Sequence, residues 1–64
     1  PGVSRLHCRV ELAWGAALVT DLDSRYGTFL SGTRLRPSVV TEWEPGKLLA
    51  LGSERQTFIL KIIQ

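Results

Sequence analysis

The chain has 64 residues and a formal net charge of +2 at pH 7, with one cysteine and one histidine. A chain of this length forms at most one small domain, and a single cysteine excludes an internal disulfide bond. One cysteine and one histidine also cannot supply the four ligands of a structural zinc site, and no apolar run approaches the ~20 residues of a membrane-spanning helix. We therefore expect one small domain in a reducing compartment, with no metal, cofactor or membrane partner.

Short β-strands are the elements that the pattern predicts along the chain. Residues 7–12 alternate in polarity, with Cys8, Val10 and Leu12 on one side, which predicts a half-buried strand. Glycine and proline then interrupt the chain too often for stable helices. Further strands are predicted at residues 17–22, 28–30, 33–35, 39–43, 47–51 and 57–63, with turns between them. This arrangement favours an antiparallel β-sandwich or barrel.

The last predicted strand has apolar side chains on both faces. Phe58 and Leu60 share one face with Ile62, and Ile59 and Ile63 lie on the other. Such a strand needs cover on both sides or a further neighbouring strand, which we expect upstream of Pro1.

The two tryptophans receive different predictions. Trp14 lies in a turn beside Gly15, where it is a surface residue or a contact for a partner, and Trp43 is expected to pack over the edge of the sandwich.

Two polar loops carry the candidate chemistry. One spans residues 3–7 and the other residues 21–28, and each places a hydroxyl beside an arginine. Hydroxyl donors, tight-turn N–H groups and a guanidinium are what a β-protein uses to bind phosphate, and Gly27 allows the backbone to approach an anion. The residues alone leave two interpretations open, namely an anion-binding site and ordinary turn chemistry.

Catalysis is not expected from these residues. Cys8 and His7 are consecutive on a strand and point to opposite faces, so they do not form a nucleophile and base pair. Ser24, His7 and Asp21 have the residue types of a catalytic triad, but no strained nucleophile turn surrounds the serine. An aspartate just before a turn usually caps backbone N–H groups. The chain is therefore predicted not to be an enzyme.

Two motifs and two later glycines follow one another along the chain: Ser4-x-x-His7, Asp21-x-x-Ser24-x-x-Gly27-Thr28, Gly32 and Gly46. This order resembles the forkhead-associated (FHA) domain. The resemblance implies one FHA domain over residues 1–64, an antiparallel β-sandwich that lacks its N-terminal strands here. It also implies a module that recognises phosphothreonine on a partner protein, without direct contact to nucleic acid.

The resemblance also assigns roles to single residues. Ser4 matches the serine that hydrogen-bonds the phosphate, and Arg5 and Arg25 match positions that commonly contact it. Tyr26 stands where many members have an asparagine that binds the peptide main chain. The family's upstream Gly-Arg loop, with its phosphate-binding arginine, has no counterpart here. The predicted phosphopeptide-binding residues are Ser4, Arg5, Ser24, Arg25, Tyr26 and Gly27, with His7 and Thr28 as structural support.

The subtype of the domain, an alternative function and the role of two arginines are further predictions from the sequence. Residues 24–29 are similar to the nibrin type of FHA domain, which implies DNA-damage signalling in the nucleus. The alternative is a degenerate FHA fold that serves as a phosphate-independent assembly module, favoured by Tyr26 and by the missing Gly-Arg loop. Arg34 and Arg36 flank Leu35 on one side of a strand, where they form a solvated face or read acidic residues near a phosphosite.

Overall fold

The computed structural model describes residues 6–52 and 56–60, and these ranges contain seven β-strands and no helix. The strands form two antiparallel sheets, ordered β1-β2-β5 and β4-β3-β6-β7. The predicted antiparallel β-sandwich is confirmed. Within the same residues, no helix is long and apolar enough to cross a membrane. The strands are β1 (Cys8–Ala13), β2 (Ala16–Asp21), β3 (Thr28–Leu30), β4 (Thr33–Arg34), β5 (Val40–Trp43), β6 (Leu48–Leu51) and β7 (Gln56–Ile59).

Two tight hairpin turns set the register of the neighbouring strands. Trp14 and Gly15 join β1 to β2, with φ angles of 55° and 76°. Ser31 and Gly32 join β3 to β4, with φ angles of 51° and 84°. Two consecutive positive φ values are the mark of the type I′ turn, whose twist matches that of the flanking strands. Both predicted turns are confirmed.

The buried core lies between the two sheets. β2 is the central strand of the first sheet, between β1 and β5, and four of its six residues are buried. Trp43 is buried, as predicted, and its indole Nε1 donates a hydrogen bond of 2.8 Å to the Lys47 carbonyl oxygen. The core residues are Ala17, Val19, Leu35, Trp43 and Leu49.

The predicted half-burial of the first strand is wrong at two of its three apolar positions. β1 forms as expected, but Val10 is 47% exposed and Leu12 is 82% exposed. β1 is an edge strand, paired only with β2 within the described residues. Alternation correctly predicts the strand, whereas burial depends on how far the opposite sheet extends across it.

The last strand is also exposed. β7 lies at the edge of the second sheet, and Phe58 and Ile59 are both about half exposed. Ile62 and Ile63 lie outside the described residues, so the expected cover for this strand stays a prediction. An apolar groove of about 250 Å³ opens between the sheets here, lined by Cys8, Val10, Trp43, Leu49, Leu51 and Phe58.

Candidate functional site

A buried carboxylate organises the loop that crosses from the first sheet to the second. Asp21 ends β2, is 1% exposed, and receives three hydrogen bonds from within eight residues of sequence. Its Oδ1 accepts from the hydroxyls of Ser24 at 2.5 Å and Thr28 at 2.6 Å, and its Oδ2 accepts from the Ser24 backbone N–H at 3.1 Å. Because Thr28 begins β3, this carboxylate holds the two ends of the crossing loop together.

The buried Ser24 hydroxyl links the two ends of the loop by hydrogen bonds. It donates to Asp21 and accepts a hydrogen bond of 3.1 Å from the Gly27 backbone N–H. Both hydrogen-bond donors of Ser24 are therefore used within the loop, and the residue is buried. The side chain is placed to maintain the loop conformation, with no donor left for a ligand.

The carbonyl oxygen of Gly27 joins three segments of the chain. It accepts a hydrogen bond of 2.6 Å from His7 Nε2 and one of 2.9 Å from the Gly52 backbone N–H. A carbonyl oxygen can only accept, so Nε2 of His7 carries the proton. His7 precedes β1 in the first sheet, whereas Gly52 follows β6 in the second. The loop at residues 22–27 is thus fixed at its far end as well as at Asp21.

Two titrating groups in this region have shifted pKa values. Burial alone would raise the pKa of Asp21, but the hydrogen bonds from Ser24 and Thr28 outweigh it and leave the pKa below its ordinary value. Burial raises the pKa of the Cys8 thiol, and the charge of Asp21 raises it further. The carboxylate is therefore ionised and the thiol protonated near neutral pH.

The outer surface of the loop is polar and carries one charge of each sign. Asp23, Arg25 and Tyr26 are exposed, and Asp23 has a φ of 58° that aspartate tolerates well. The Arg25 guanidinium lies over the Tyr26 ring, with Cζ 5.4 Å from the ring centroid, in cation–π geometry. This contact presents a guanidinium and a phenol together at the rim of the loop.

A second arginine reaches the same loop from β4. A Cβ built on Gly27 would lie 2.7 Å from Nε and 3.0 Å from Cζ of Arg34, and 3.2 Å from Cε1 of Phe29. The guanidinium of Arg34 therefore lies against the Cα of Gly27. Gly27 also has a φ of +90°, so both its conformation and its surroundings favour glycine.

Comparison with known proteins identifies the family to which the chain belongs. The family model described as "FHA domain" matches residues 1–52 of the chain. This chain belongs to the FHA family. FHA domains are protein-interaction modules that bind phosphothreonine-containing proteins, and they are not enzymes. The predicted FHA family and the β-sandwich that it implied are confirmed. The nibrin type within that family stays a prediction.

Curated relatives place similar sequences within much longer proteins. The chain is 35% identical over 69 residues to "Zeaxanthin epoxidase, chloroplastic" of Solanum lycopersicum and 34% identical over 70 residues to the protein of the same name from Nicotiana plumbaginifolia. These alignments cover 100% of this chain but only 10% and 11% of the relatives. The chain thus spans about a tenth of the length of the curated relatives that it matches. No solved structure matches it.

The structure brings together most of the residues that the FHA resemblance singled out. His7 and Gly27 are hydrogen-bonded to each other, and Ser24 and Thr28 meet on Asp21. Arg25 and Tyr26 lie on the exposed side of the same loop. Ser4 and Arg5 lie outside the described residues, and their roles stay predictions.

Three features of the FHA site were not in the predicted set of site residues. Asp21 was expected only to cap a turn, although its spacing from Ser24 and Thr28 was visible in the sequence. Gly52 carries no sequence signal for its contact with Gly27, because that contact depends on the pairing of β3 with β6, in which Thr28 lies opposite Leu51. Arg34 was indistinguishable from Arg36 by strand alternation alone.

Proposed function

We propose that this FHA domain is a non-catalytic module that recognises phosphothreonine-containing segments of a partner protein. The observation that carries the proposal is the braced loop at residues 22–27, which turns its polar donors inward and leaves Arg25 and Tyr26 outside. A rigid loop that presents an exposed guanidinium binds an oxyanion at little cost in conformational entropy. A charge-assisted hydrogen bond then contributes about 1.5–3 kcal/mol.

The proposal divides the site residues into two groups. Ser4, Arg5, Arg25 and Tyr26 contact the phosphopeptide, the first two by their match to the family positions. His7, Ser24, Gly27 and Thr28 hold the loop that presents them. Ser24 and Gly27 both move from the predicted contact group to the bracing group. Asp21 and the Gly27 N–H already occupy the Ser24 hydroxyl, and the Gly27 carbonyl oxygen accepts from His7 and Gly52.

Isothermal titration of the full-length protein with a phosphothreonine peptide and its unphosphorylated twin tests this function. We expect clear binding of the phosphopeptide and a loss of about 10- to 100-fold in Ser4→Ala. Ser31→Gly is the matched control, since it removes an exposed hydroxyl at a φ of 51° that glycine adopts freely. Equal affinity of the wild type for both peptides would show that the function is wrong, and unchanged affinity in Ser4→Ala would remove the role of Ser4.

A second candidate function is a phosphate-independent assembly module on the same fold. It is supported by Tyr26 in place of the peptide-binding asparagine and by Trp14, which is fully exposed at the tip of the β1–β2 hairpin. The relatives of this chain are named as zeaxanthin epoxidases, and the chain matches about a tenth of their length, so assembly within a larger enzyme is one form of this candidate. Partner binding that is lost in Trp14→Asn but insensitive to phosphatase treatment would support it.

Localisation and pathway form a separate and finer proposal. Arg25-Tyr26-Gly27-Thr28 supports a nibrin-type domain that acts in DNA-damage signalling in the nucleus. The relatives are named as chloroplastic enzymes, which supports a chloroplast protein instead. Imaging of the tagged full-length protein separates the two, and recruitment to induced DNA breaks would be required for the nibrin-type role.

A further inference from the structure

Arg34 is held against the FHA loop by the pairing of two short strands. β3 and β4 are antiparallel, and Arg34 lies directly opposite Phe29 in their register. Cross-strand partners project to the same face of a sheet, and both side chains reach Gly27. The position of the guanidinium is therefore set by strand pairing as well as by the rotamers of a long side chain.

The guanidinium of Arg34 retains its hydrogen-bonding capacity. Within the described part of the chain, it donates no hydrogen bond and joins no ion pair. The residue is exposed, so a ligand can reach the guanidinium although its Nε and Cζ lie against Gly27. A guanidinium has five N–H donors in a planar fork that matches the oxygens of phosphate and carboxylate groups.

We propose that Arg34 is a ligand-binding residue of this FHA site, and that its guanidinium binds an oxyanion of the phosphopeptide. The inference rests on the proposed phosphopeptide function and adds a specificity-determining residue to it. The oxyanion is the phosphate group itself or a carboxylate of an acidic residue beside it. Arg34 and Arg25 then approach the bound segment from two different elements, β4 and the loop at residues 22–27.

Arg36 provides the matched comparison. It has the same charge and is exposed, two residues further along the chain. Its position follows the end of β4 at Arg34, where the pairing with β3 has stopped. A general effect of surface charge on an anionic peptide would be similar for the two arginines, whereas a direct contact would single out Arg34.

The experiment measures the affinity of full-length wild type, Arg34→Gln and Arg36→Gln for three peptides. Two carry phosphothreonine, one with neutral and one with acidic flanking residues, and the third is the unphosphorylated acidic peptide. We expect Arg34→Gln to weaken phosphopeptide binding by about 10-fold or more, and Arg36→Gln to stay within about 2-fold of wild type. The salt dependence of affinity should also decrease in Arg34→Gln, which a purely structural role would not change.

The outcomes are distinct. A loss for both phosphopeptides supports a phosphate contact, and a loss confined to the acidic phosphopeptide supports a carboxylate contact. Equal affinities of Arg34→Gln and Arg36→Gln for both phosphopeptides overturn the inference and leave the proposed function intact. A wild type that binds phosphorylated and unphosphorylated acidic peptides equally overturns both. If Arg34→Gln unfolds more easily, Arg34→Lys, which keeps the stem and the charge, is expected to fold and to bind with intermediate affinity.

Discussion

His7 and Gly27 lie 20 residues apart and are joined by a hydrogen bond of 2.6 Å from the imidazole Nε2 to the glycine carbonyl oxygen. The bond links the segment before β1 to the loop before β3, and so connects the two sheets at one point. Gly52 donates to the same oxygen from the end of β6. The exposed arginine and tyrosine of the FHA loop therefore rest on a backbone that is fixed from both sheets.

Asp21→Asn should destabilise the fold far more than Asp23→Asn. Both changes remove one negative charge, but only Asp21 is buried and accepts three hydrogen bonds. The amide cannot accept at both former oxygens, so one donor in the loop loses its partner. We expect a loss of about 2–3 kcal/mol in the free energy of unfolding for Asp21→Asn and a change within about 0.5 kcal/mol for Asp23→Asn. Urea denaturation of both variants provides the measurement, and similar midpoints would contradict the central role of Asp21.

The stability of the protein should decrease in acid through Asp21. Its pKa in the folded state lies below the ordinary value of 3.8, so its contribution to stability is fully present above that value. The contribution is lost as the pH falls through the lower folded pKa, because the folded state must then bind a proton that the unfolded state already holds. Denaturation at a series of pH values from 6 downward should show a steeper acid loss, by about one proton, in wild type than in Asp21→Asn. Parallel curves for the two proteins would argue against it.

Gly27→Ala and Gly32→Ala should separate backbone strain from the position of Arg34. Both glycines have positive φ, so alanine costs about 1–2 kcal/mol of stability at either site. A Cβ at Gly32 meets nothing within 4 Å, whereas a Cβ at Gly27 displaces the Arg34 guanidinium. We expect a larger loss of stability in Gly27→Ala, because its Cβ would also lie 3.2 Å from Cε1 of Phe29, and a loss of phosphopeptide affinity only in that variant. Titration of both variants checks this, and an unchanged affinity in Gly27→Ala would contradict it.

Cys8 should react slowly with alkylating reagents. Burial and the nearby charge of Asp21 raise its pKa above the ordinary value of 9.0, so little thiolate is present near pH 7. The rate of reaction with iodoacetamide is expected to lie below that of an unstructured cysteine peptide and to keep rising above pH 9. A rate equal to that of the peptide would show that the thiol is not shielded.

Trp14→Asn should stabilise the fold. Trp14 has a φ of 55°, which is unfavourable for a bulky side chain, and it is fully exposed, so it has little packing to lose. Asn-Gly is the preferred pair for a type I′ turn. We expect a gain of about 0.5–1 kcal/mol in the free energy of unfolding. A loss of stability would show that the indole makes contacts that the exposure of Trp14 does not reveal.

The strands were predictable because their signals are local. Alternation of polar and apolar residues located β1, and paired turn residues located both type I′ hairpins. Burial was less predictable. Leu12 shares the alternation of Cys8 yet is exposed, because the second sheet does not cover the far end of β1.

The candidate site was also predictable in part. The polar loops and their family were evident from residue types and spacing, and the glycine before β3 was expected to approach a ligand. The hydroxyl of Ser24 was expected there too, but the fold turns it inward to Asp21. The inward turn of this hydroxyl follows from its burial, since buried polar groups must be hydrogen-bonded.

The sequence by itself determined that these 64 residues cannot form an internal disulfide bond, because they contain a single cysteine, and the order of the motifs predicted the FHA family. Only the tertiary structure separated Arg34 from Arg36, although both occupy the same side of the predicted strand. The physical reason is strand pairing. The register of β3 with β4 places Arg34 opposite Phe29 and over Gly27, and a register between strands depends on contacts that no single stretch of sequence contains.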